Sequence, residues 1–198
     1  RCAAKLEHVT IPAAVKQLDG SLNRFLHATC GADAEIPSVR FALETAVVGL
    51  ITRSPSALYA SALGRGARGS VDVAALVDGE DAAPAFLPHR VVKLKAGVLA
   101  PERDAARVRD AVGKHYKVRV DANRRWSREQ YEAFLSHLGD APLDFVEEPP
   151  FSSSNIPAAL DETLAEADWS PAFDEADVLV AKPALIGLER TLALARRH

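Results

Sequence analysis

The sequence contains no methionine, two cysteines and no long apolar run. Because a membrane-spanning helix needs about 18 consecutive apolar residues, a membrane protein is not expected. The 24 basic and 27 acidic residues nearly balance, and the net charge of -3 leaves no electrostatic footprint for nucleic acid or an anionic membrane. With 48% hydrophobic residues in 198, the composition predicts a soluble globular chain with a sizeable core.

Cysteine and histidine provide no pattern typical of a metal site. Cys2 and Cys30 have neither zinc-site nor Cys-x-x-Cys spacing, and the six histidines are scattered without a ligand pair at helical spacing. We therefore expect free thiols in a reducing compartment. Because the chain begins at Arg1 and has no methionine, we also expect it to be cut from a longer protein.

The first third of the chain shows helical rather than strand patterns. A weak pattern runs over residues 11–26, and from Pro37 apolar residues recur at helical spacing. Ser38 is the predicted N-cap of that helix, and Glu44 is predicted to be exposed. A short helix is predicted over residues 55–63. We interpret residues 1–69 as a helical lead-in domain.

Residues 64–69 match the glycine fingerprint GxGxxG. A dinucleotide site requires a strand before this motif and a helix after it, so that the pyrophosphate meets a helix N-terminus. Here the order is reversed. We therefore interpret the segment as a flexible connector and expect no cofactor other than a metal ion.

From residue 71 onward, predicted strands alternate with predicted helices, which favours βαβ units and a parallel sheet. The helix after Trp126 has Ser127 as its predicted N-cap. The predicted strands are 71–77, 91–95, 118–121, 143–147, 158–161 and 178–182, and the predicted helices are 102–115, 127–138 and one that starts near residue 188.

The spacing of these strands favours a barrel over an open sheet. The charged residues that end successive strands are 26 residues apart, both from Lys95 to Asp121 and from Asp121 to Glu147. This spacing is close to the roughly 30 residues per βα unit of a full (β/α)8 barrel. We predict an α/β fold in which residues 70–198 form a partial TIM-like barrel with about six of eight strands. Residues 149–157 are too short and turn-like for a covering helix.

Charged residues stand at the ends of these strands. Side chains alternate across a strand, so Lys93 and Lys95 share a face, as do Arg119 and Asp121. Because a buried, unpaired charge costs several kcal/mol, these groups must serve one another or a ligand. A single Lys-x-Lys or Glu-Glu-Pro is usually a solvated strand end. The prediction of a functional site therefore depends on the joint occurrence of charged residues at several strand ends.

Asp121, Glu147 and Asp161 come from three successive strands and offer the hard oxygen ligands that Mg²⁺ prefers. Lys93, Lys95 and Lys182 would face them, and a lysine crowded by other cations becomes usable as a base near neutral pH. A base beside Mg²⁺ is suited to removing a proton α to a carboxylate.

These residues resemble the muconate-lactonising branch of the enolase superfamily, and most closely its o-succinylbenzoate synthases, including the synthase module of multifunctional plant and algal phylloquinone-biosynthesis proteins. The resemblance covers about residues 36–190. The matching segments are IPSVRFALETA from Ile36, VVKLKAG from Val91, VRVDANRRW from Val118, FVEEP from Phe145, ALDET from Ala159 and AKPALIG from Ala181.

The resemblance implies a carbon-oxygen lyase that uses Mg²⁺ to dehydrate 2-succinyl-6-hydroxy-2,4-cyclohexadiene-1-carboxylate to 2-succinylbenzoate through an enediolate. Lys95 would be the general base and then the acid, Lys182 would stabilise the charge from the opposite face, and Lys93 would hold the substrate carboxylate. The implied metal ligands are Asp121, Glu147 and Asp161, and Asn123 and Arg119 are implied neighbours of the ligands or the substrate.

The resemblance also implies that residues 1–69 are the remnant of a capping region, and that a lid and the last two barrel strands are missing. We therefore expect low or no activity from the isolated chain. The implied partners are a small carboxylate substrate and other modules of a larger polypeptide. The implied location is the plastid if the plant and algal resemblance holds, and the cytoplasm otherwise.

Two kinds of alternative stay open. An N-acylamino acid racemase, a dipeptide epimerase or a cycloisomerase of the same superfamily would use the same lysines and carboxylates. A truncated, non-catalytic barrel module would keep them without turnover.

Overall fold

The computed structural model describes residues 2–64, 66, 70–78, 88–166 and 172–198. The chain divides into two compact units, Arg1–Gly69 with Ala181–His198, and Ser70–Val180. Residues 181–198 group with the helical unit, and the division into residues 1–69 and 70–198 stays a prediction. The assignment of residues 1–69 to a capping region stays a prediction. Most of the glycine-rich segment 64–69 lies outside the described residues.

Within its described residues, the second unit is built on one parallel sheet of six strands, whose spatial order is the order along the chain. Neighbouring strands that are consecutive and parallel are the arrangement of a (β/α) barrel wall, which confirms the predicted fold class. The strands are β1 Ala74–Val77, β2 Val91–Lys95, β3 Lys117–Asp121, β4 Phe145–Glu147, β5 Ala158–Leu160 and β6 Val178–Leu179.

Two full-length helices cover this sheet within the described ranges. Helix α5 (Pro101–Gly113) starts with proline at its first position, where a missing N–H costs nothing. Helix α6 (Arg128–Leu138) starts at the predicted N-cap Ser127, whose side chain accepts from Gln130 N while Gln130 caps Ser127 N in return. Both helices pack against each other. Along the chain, two short helices follow β5 and precede β6. They are α7 (Thr163–Glu166) and α8 (Ala172–Glu175).

The connection between β4 and β5 contains no helix, as predicted. Residues 149–157 form turns closed by an antiparallel bridge between Ser153 and Ile156. Phe151 from this connection packs edge-on against Tyr131 of α6, with 5.0 Å between the ring centroids. The connection therefore takes part in covering the sheet although it is too short for a helix.

The first unit is helical. Its elements are α1 Cys2–Leu6, a 3₁₀ turn Ala13–Gln17, α2 Ser21–Cys30, a 3₁₀ turn Gly31–Glu35, α3 Pro37–Ile51, α4 Pro55–Leu63, α9 Pro183–Ile186 and α10 Leu188–Arg197. Leu22, Leu26, Val47 and Leu192 lie in its core, where Cys30 is also buried. Across the described ranges, no helix has the length and apolar character that a bilayer crossing requires.

Two predictions for α3 are wrong. The helix begins at Pro37, with Ile36 rather than Ser38 in the N-cap position. Glu44 is not exposed but fully buried, and its Oε2 accepts a hydrogen bond from Leu188 N at 2.7 Å. Burial raises the pKa of Glu44. The periodicity of α3 could not predict this, because α9 and α10, which cover this part of α3, lie about 140 residues away in the sequence.

The core of the barrel unit contains an aromatic cluster in which Trp126 contacts Phe134, with 4.6 Å between ring centroids. Because Phe134 is 0% exposed, Phe134→Ala should lower the free energy of unfolding by about 3–5 kcal/mol. Urea denaturation followed by circular dichroism measures this loss. The matched control, Val98→Ala at a position that is 72% exposed, should change stability by less than about 0.5 kcal/mol. Equal effects of the two substitutions would contradict the assigned packing.

Candidate metal centre and active site

The candidate site lies at the carboxyl ends of β3, β4 and β5. Asp121 is the last residue of β3 and pairs in register with Glu147, the last residue of β4. Glu147 in turn pairs with Ala159 of β5, so Asp161, two residues further, has the same side-chain direction. Parallel strands in register therefore bring to one rim three carboxylates that are 26 and 14 residues apart in the sequence.

The three carboxylates form one cluster. Each side chain offers an oxygen, and these oxygens lie within 4.8 Å of one another. Asp121, Glu147 and Asp161 are only 2%, 2% and 3% exposed. Burying like charges this closely is unfavourable unless cations balance them.

Two ammonium groups from β2 supply part of that balance. Lys93 Nζ lies 2.9 Å from Asp121 Oδ2 and 2.7 Å from Glu147 Oε2. Lys95 Nζ lies 2.5 Å from the same Asp121 oxygen and donates to Asn123 Oδ1 at 3.3 Å. Both lysines thus lie on the face of β2 that the alternation of side chains predicts, and both reach the carboxylates.

The pKa values of two carboxyl groups move in opposite directions. Burial, with the charges of Asp121 and Asp161, raises the pKa of Glu147 to about 7 despite its bond from Lys93. Burial also disfavours ionised Asp121, but the hydrogen bonds from Lys95, Lys93 and Asn123 N outweigh it and lower the pKa of Asp121 to about 2. Burial likewise opposes the charge of Lys93, but its two carboxylate partners raise the pKa of Lys93 overall. The two lysines therefore favour the ionised form of Asp121, whereas burial and the neighbouring carboxylates favour the protonated form of Glu147.

This donor set fits a hard divalent cation. Mg²⁺ is held through a few carboxylates, with water and substrate oxygens completing its shell. Asp121, Glu147 and Asp161 supply three such oxygens on one side of a rim, and a cation among them would offset the burial of Glu147 and the charges of Asp121 and Asp161, which together raise its pKa. The residues present could therefore hold Mg²⁺.

The backbone at Lys95 is held by a buried ion pair that the sequence reasoning missed. Arg107 Nη1 donates to Lys95 O at 2.8 Å and lies 3.2 Å from Asp104 Oδ1, while Asp104 Oδ2 accepts from Gly97 N at 2.9 Å. Gly97 has a φ of +79°, and a Cβ at this position would lie only 2.9 Å from Arg125 Cβ, so a larger residue would clash there. The available signal was that Asp104 and Arg107 occupy the same face of α5 as the core residues Val108 and Ala111.

The two predicted neighbours of the ligands and substrate have different positions. Asn123 adjoins the cluster, because its backbone N donates to Asp121 Oδ1 at 2.8 Å and its side chain accepts from Lys95. Arg119 instead donates to Asp144 at 2.8 Å and lies over the ring of Phe145. Arg119 thus bonds to the residue that precedes β4, and not to Glu147 at the end of that strand.

Lys182 follows β6 by three residues and belongs to the helical unit. It is exposed and precedes α9 in an extended conformation. The prediction that Lys182 faces the carboxylates across the substrate stays a prediction.

Comparison with known proteins agrees with this fold. A family model described as "Enolase C-terminal domain-like" matches residues 72–176. The chain is 28% identical over 218 residues to Protein PHYLLO, chloroplastic, of Arabidopsis thaliana, which covers 91% of this chain and 13% of that protein. It is also 37% identical over 71 residues to Muconate cycloisomerase 1-1 of Acinetobacter lwoffii, covering 34% of this chain and 19% of that protein. The chain thus spans a small part of the curated relatives that it matches.

Solved structures show the same fold. The muconate lactonizing enzyme from Pseudomonas putida aligns with a TM-score of 0.61 at 22% identity, over 98% of this chain and 62% of that one. A putative mandelate racemase/muconate lactonizing enzyme from Roseovarius nubinhibens, solved in complex with magnesium, aligns with a TM-score of 0.63 at 22% identity, over 98% of this chain and 61% of that one. The matched family model, the parallel sheet and these relatives together show that the chain belongs to the enolase C-terminal domain-like family, in the muconate-lactonising branch of the enolase superfamily.

Proposed function

We propose that this chain is an o-succinylbenzoate synthase module, which dehydrates 2-succinyl-6-hydroxy-2,4-cyclohexadiene-1-carboxylate to 2-succinylbenzoate. The observation that carries the proposal is the cluster of Asp121, Glu147 and Asp161 in contact with Lys93 and Lys95. The choice of substrate is supported by the motif resemblance to o-succinylbenzoate synthases and by the similarity to Protein PHYLLO over 91% of the chain.

In this proposal, Asp121, Glu147 and Asp161 hold Mg²⁺. The bound ion would supply electrostatic stabilisation of the negative charge that develops on the substrate carboxylate when the α-proton leaves. Lys95, in its neutral amine form, takes that proton at Nζ and then, as the ammonium, returns it to the departing hydroxyl, so that water is lost and the ring becomes aromatic. Lys93 binds the substrate carboxylate, and Lys182 stabilises the developing charge from the other face of the ring.

Two features of this chain prepare Lys95 for proton transfer. Its carbonyl is held by Arg107 and its ammonium by Asp121 and Asn123, so the side chain projects from a fixed backbone. It is 27% exposed, which leaves Nζ accessible to a ligand. A base must lie within hydrogen-bond reach of the proton that it removes, and a fixed position favours this geometry.

A cycloisomerase is the second candidate, because segments of the chain are 37% and 30% identical to two muconate cycloisomerases of Acinetobacter. An N-acylamino acid racemase or dipeptide epimerase would use the same groups. Parallel assays with cis,cis-muconate, an N-acylamino acid and a dipeptide separate these activities from the synthase. A module that holds the metal and turns over none of the substrates would be the non-catalytic alternative.

We further propose a plastid location and association with other modules of a larger polypeptide. Both follow from the similarity to Protein PHYLLO, whose name describes it as chloroplastic and of which this chain covers 13%. Fractionation of cells that express the full-length protein tests the location.

The proposed metal site predicts divalent-cation binding by the purified chain. Titration with Mn²⁺, followed by electron paramagnetic resonance, should show one binding site. Added Mg²⁺ should displace Mn²⁺ from it. Asp161→Asn should weaken binding at least about tenfold, because it removes one charged ligand. Asp110→Asn, at a surface carboxylate that pairs with Lys114, is the matched control and should bind as the wild type does. Binding that is unchanged in Asp161→Asn would exclude this residue as a ligand.

The lysine roles predict a loss of turnover. In the presence of Mg²⁺ and the cyclohexadiene substrate, Lys95→Ala and Lys182→Ala in the full-length protein should each lower kcat about 10²- to 10⁴-fold, the usual contribution of a positioned acid or base. Formation of the aromatic product is followed by its ultraviolet absorbance. Lys16→Ala, at an exposed lysine of the helical unit, should retain wild-type turnover. Unchanged turnover in Lys95→Ala would remove this residue from the mechanism.

The cluster also predicts a pH dependence of stability. The pKa of Glu147 rises from the ordinary 4.5 to about 7 in the folded chain, so its protonated form favours folding. This contribution is complete below pH 4.5 and is lost as the pH rises through 7. Without metal, the wild type should therefore lose about 2–3 kcal/mol relative to Glu147→Gln between pH 5 and 8, measured by urea denaturation. Asp121, with a pKa near 2, responds only at lower pH. Parallel pH curves for the two proteins would contradict the assignment.

A further inference from the structure

The residue after Glu147 has an unusual backbone conformation. Glu148 has a φ of +48°, in the left-handed region that non-glycine residues rarely adopt. In an extended strand, Glu148 would point away from the face that Glu147 occupies. The left-handed turn ends β4 and lets the Glu148 side chain run along the rim towards the end of β5, where its oxygens meet Asp161 and Thr163. Strain of this kind persists only where surrounding contacts compensate for it.

Those contacts come from the loop that carries Asp161. Glu148 Oε1 accepts from Asp161 N at 2.8 Å and from Thr163 N at 2.9 Å, and Oε2 accepts from Thr163 Oγ1 at 2.8 Å. The Glu148 side chain is only 9% exposed. Hydrogen bonds from N–H groups to a buried carboxylate are among the stronger ones in proteins. The peptide N–H of Asp161 is therefore held directly by Glu148.

A third loop completes the arrangement. Arg124, after β3, donates to Glu148 Oε2 through Nε at 3.3 Å, and its Nη2 lies 3.2 Å from the same oxygen. Arg124 Nη2 also donates to Thr163 Oγ1 at 2.6 Å, and Nη1 donates to Glu166 Oε1 at 2.5 Å. The carboxyl ends of β3, β4 and β5 each contribute one carboxylate to the cluster, and Glu148, directly after β4, is bonded to the loops that follow β3 and β5.

We propose that Glu148 is a positioning residue, which holds the backbone of Asp161 so that the Asp161 carboxylate meets Asp121 and Glu147 at one cation. This inference rests on the proposed metal site and extends it to a residue that does not itself coordinate. Without the Glu148 carboxylate, the amides of Asp161 and Thr163 lose their acceptor, and the loop is free to move Asp161 away from the other two ligands.

The test compares two substitutions at this position. Glu148→Gly removes the carboxylate and tolerates the positive φ, so it adds no backbone strain. Glu148→Gln keeps an amide oxygen that can accept from both backbone N–H groups, although it loses the charge opposite Arg124. We expect Mn²⁺ affinity to fall about tenfold or more in Glu148→Gly, a usual effect of losing a group that orients a ligand, and to stay within about threefold of the wild type in Glu148→Gln.

Amide hydrogen exchange, followed by NMR on the metal-free chain, supplies a readout that does not depend on metal. The amides of Asp161 and Thr163 should exchange at least about tenfold faster in Glu148→Gly than in the wild type, and those of the β3 core should not change. The matched control is Glu166→Ala, which removes the other carboxylate partner of Arg124 at a 60% exposed position. It should leave both metal affinity and exchange unchanged.

The outcomes separate this inference from the proposed site. Wild-type Mn²⁺ affinity together with unchanged exchange in Glu148→Gly would overturn the positioning role while leaving the metal site intact. Equal losses in Glu148→Gly and Glu148→Gln would also overturn it, because the retained acceptor would then have no effect. A wild-type chain that binds no Mn²⁺ would overturn the metal site and, with it, the role of Glu148 towards a cation. In that case, faster exchange would show only that Glu148 holds the loop.

Discussion

The structure of the site depends on the burial of like charges at the ends of parallel strands. Asp121, Glu147 and Asp161 are almost completely buried within 4.8 Å of one another, which is tolerable only where positive charge converges on them. Lys93 and Lys95 supply two ammonium groups to the three carboxylates, and burial together with the charges of Asp121 and Asp161 still raises the pKa of Glu147. A cation bound there, as proposed, would relieve the same electrostatics that otherwise destabilise the rim.

The rest of the barrel unit keeps this arrangement in place. Register pairing sets Lys95 beside Asp121 and Asp121 beside Glu147, because hydrogen-bonded parallel strands fix the alignment of their ends. Behind the strands, the buried pair Asp104 and Arg107 holds the backbone that follows β2. Along the rim, Glu148 holds the backbone that follows β5. The charged groups of the site are thus supported by a surrounding layer of charged groups that lies outside the cluster.

Much of this was predictable from local pattern. Alternation of apolar residues, capping at Ser127 and the 26-residue spacing predicted all six strands, the helices α5 and α6, and the helix-free connection at 149–157 to within a few residues. Charges at the strand ends pointed to Lys93, Lys95 and the three carboxylates that lie together, whereas Arg119 bonds to Asp144 instead. The failures were of another kind. Glu44 is a charged residue buried by elements distant in the sequence. The buried Asp104 and Arg107 lie on the core-facing side of α5, where a pattern that counts only apolar residues does not include them.

By itself, the sequence determined the order of strands and helices, the parallel sheet and the candidate carboxylates and lysines, because these depend on side-chain period and on short-range turn chemistry. The tertiary structure alone decided the pairing of Lys93 with Glu147, the support of Lys95 by Arg107 and the left-handed turn that directs Glu148 to Asp161. Each of these depends on distances between segments that are brought together only by strand pairing and packing, and no local pattern in a single chain records such distances.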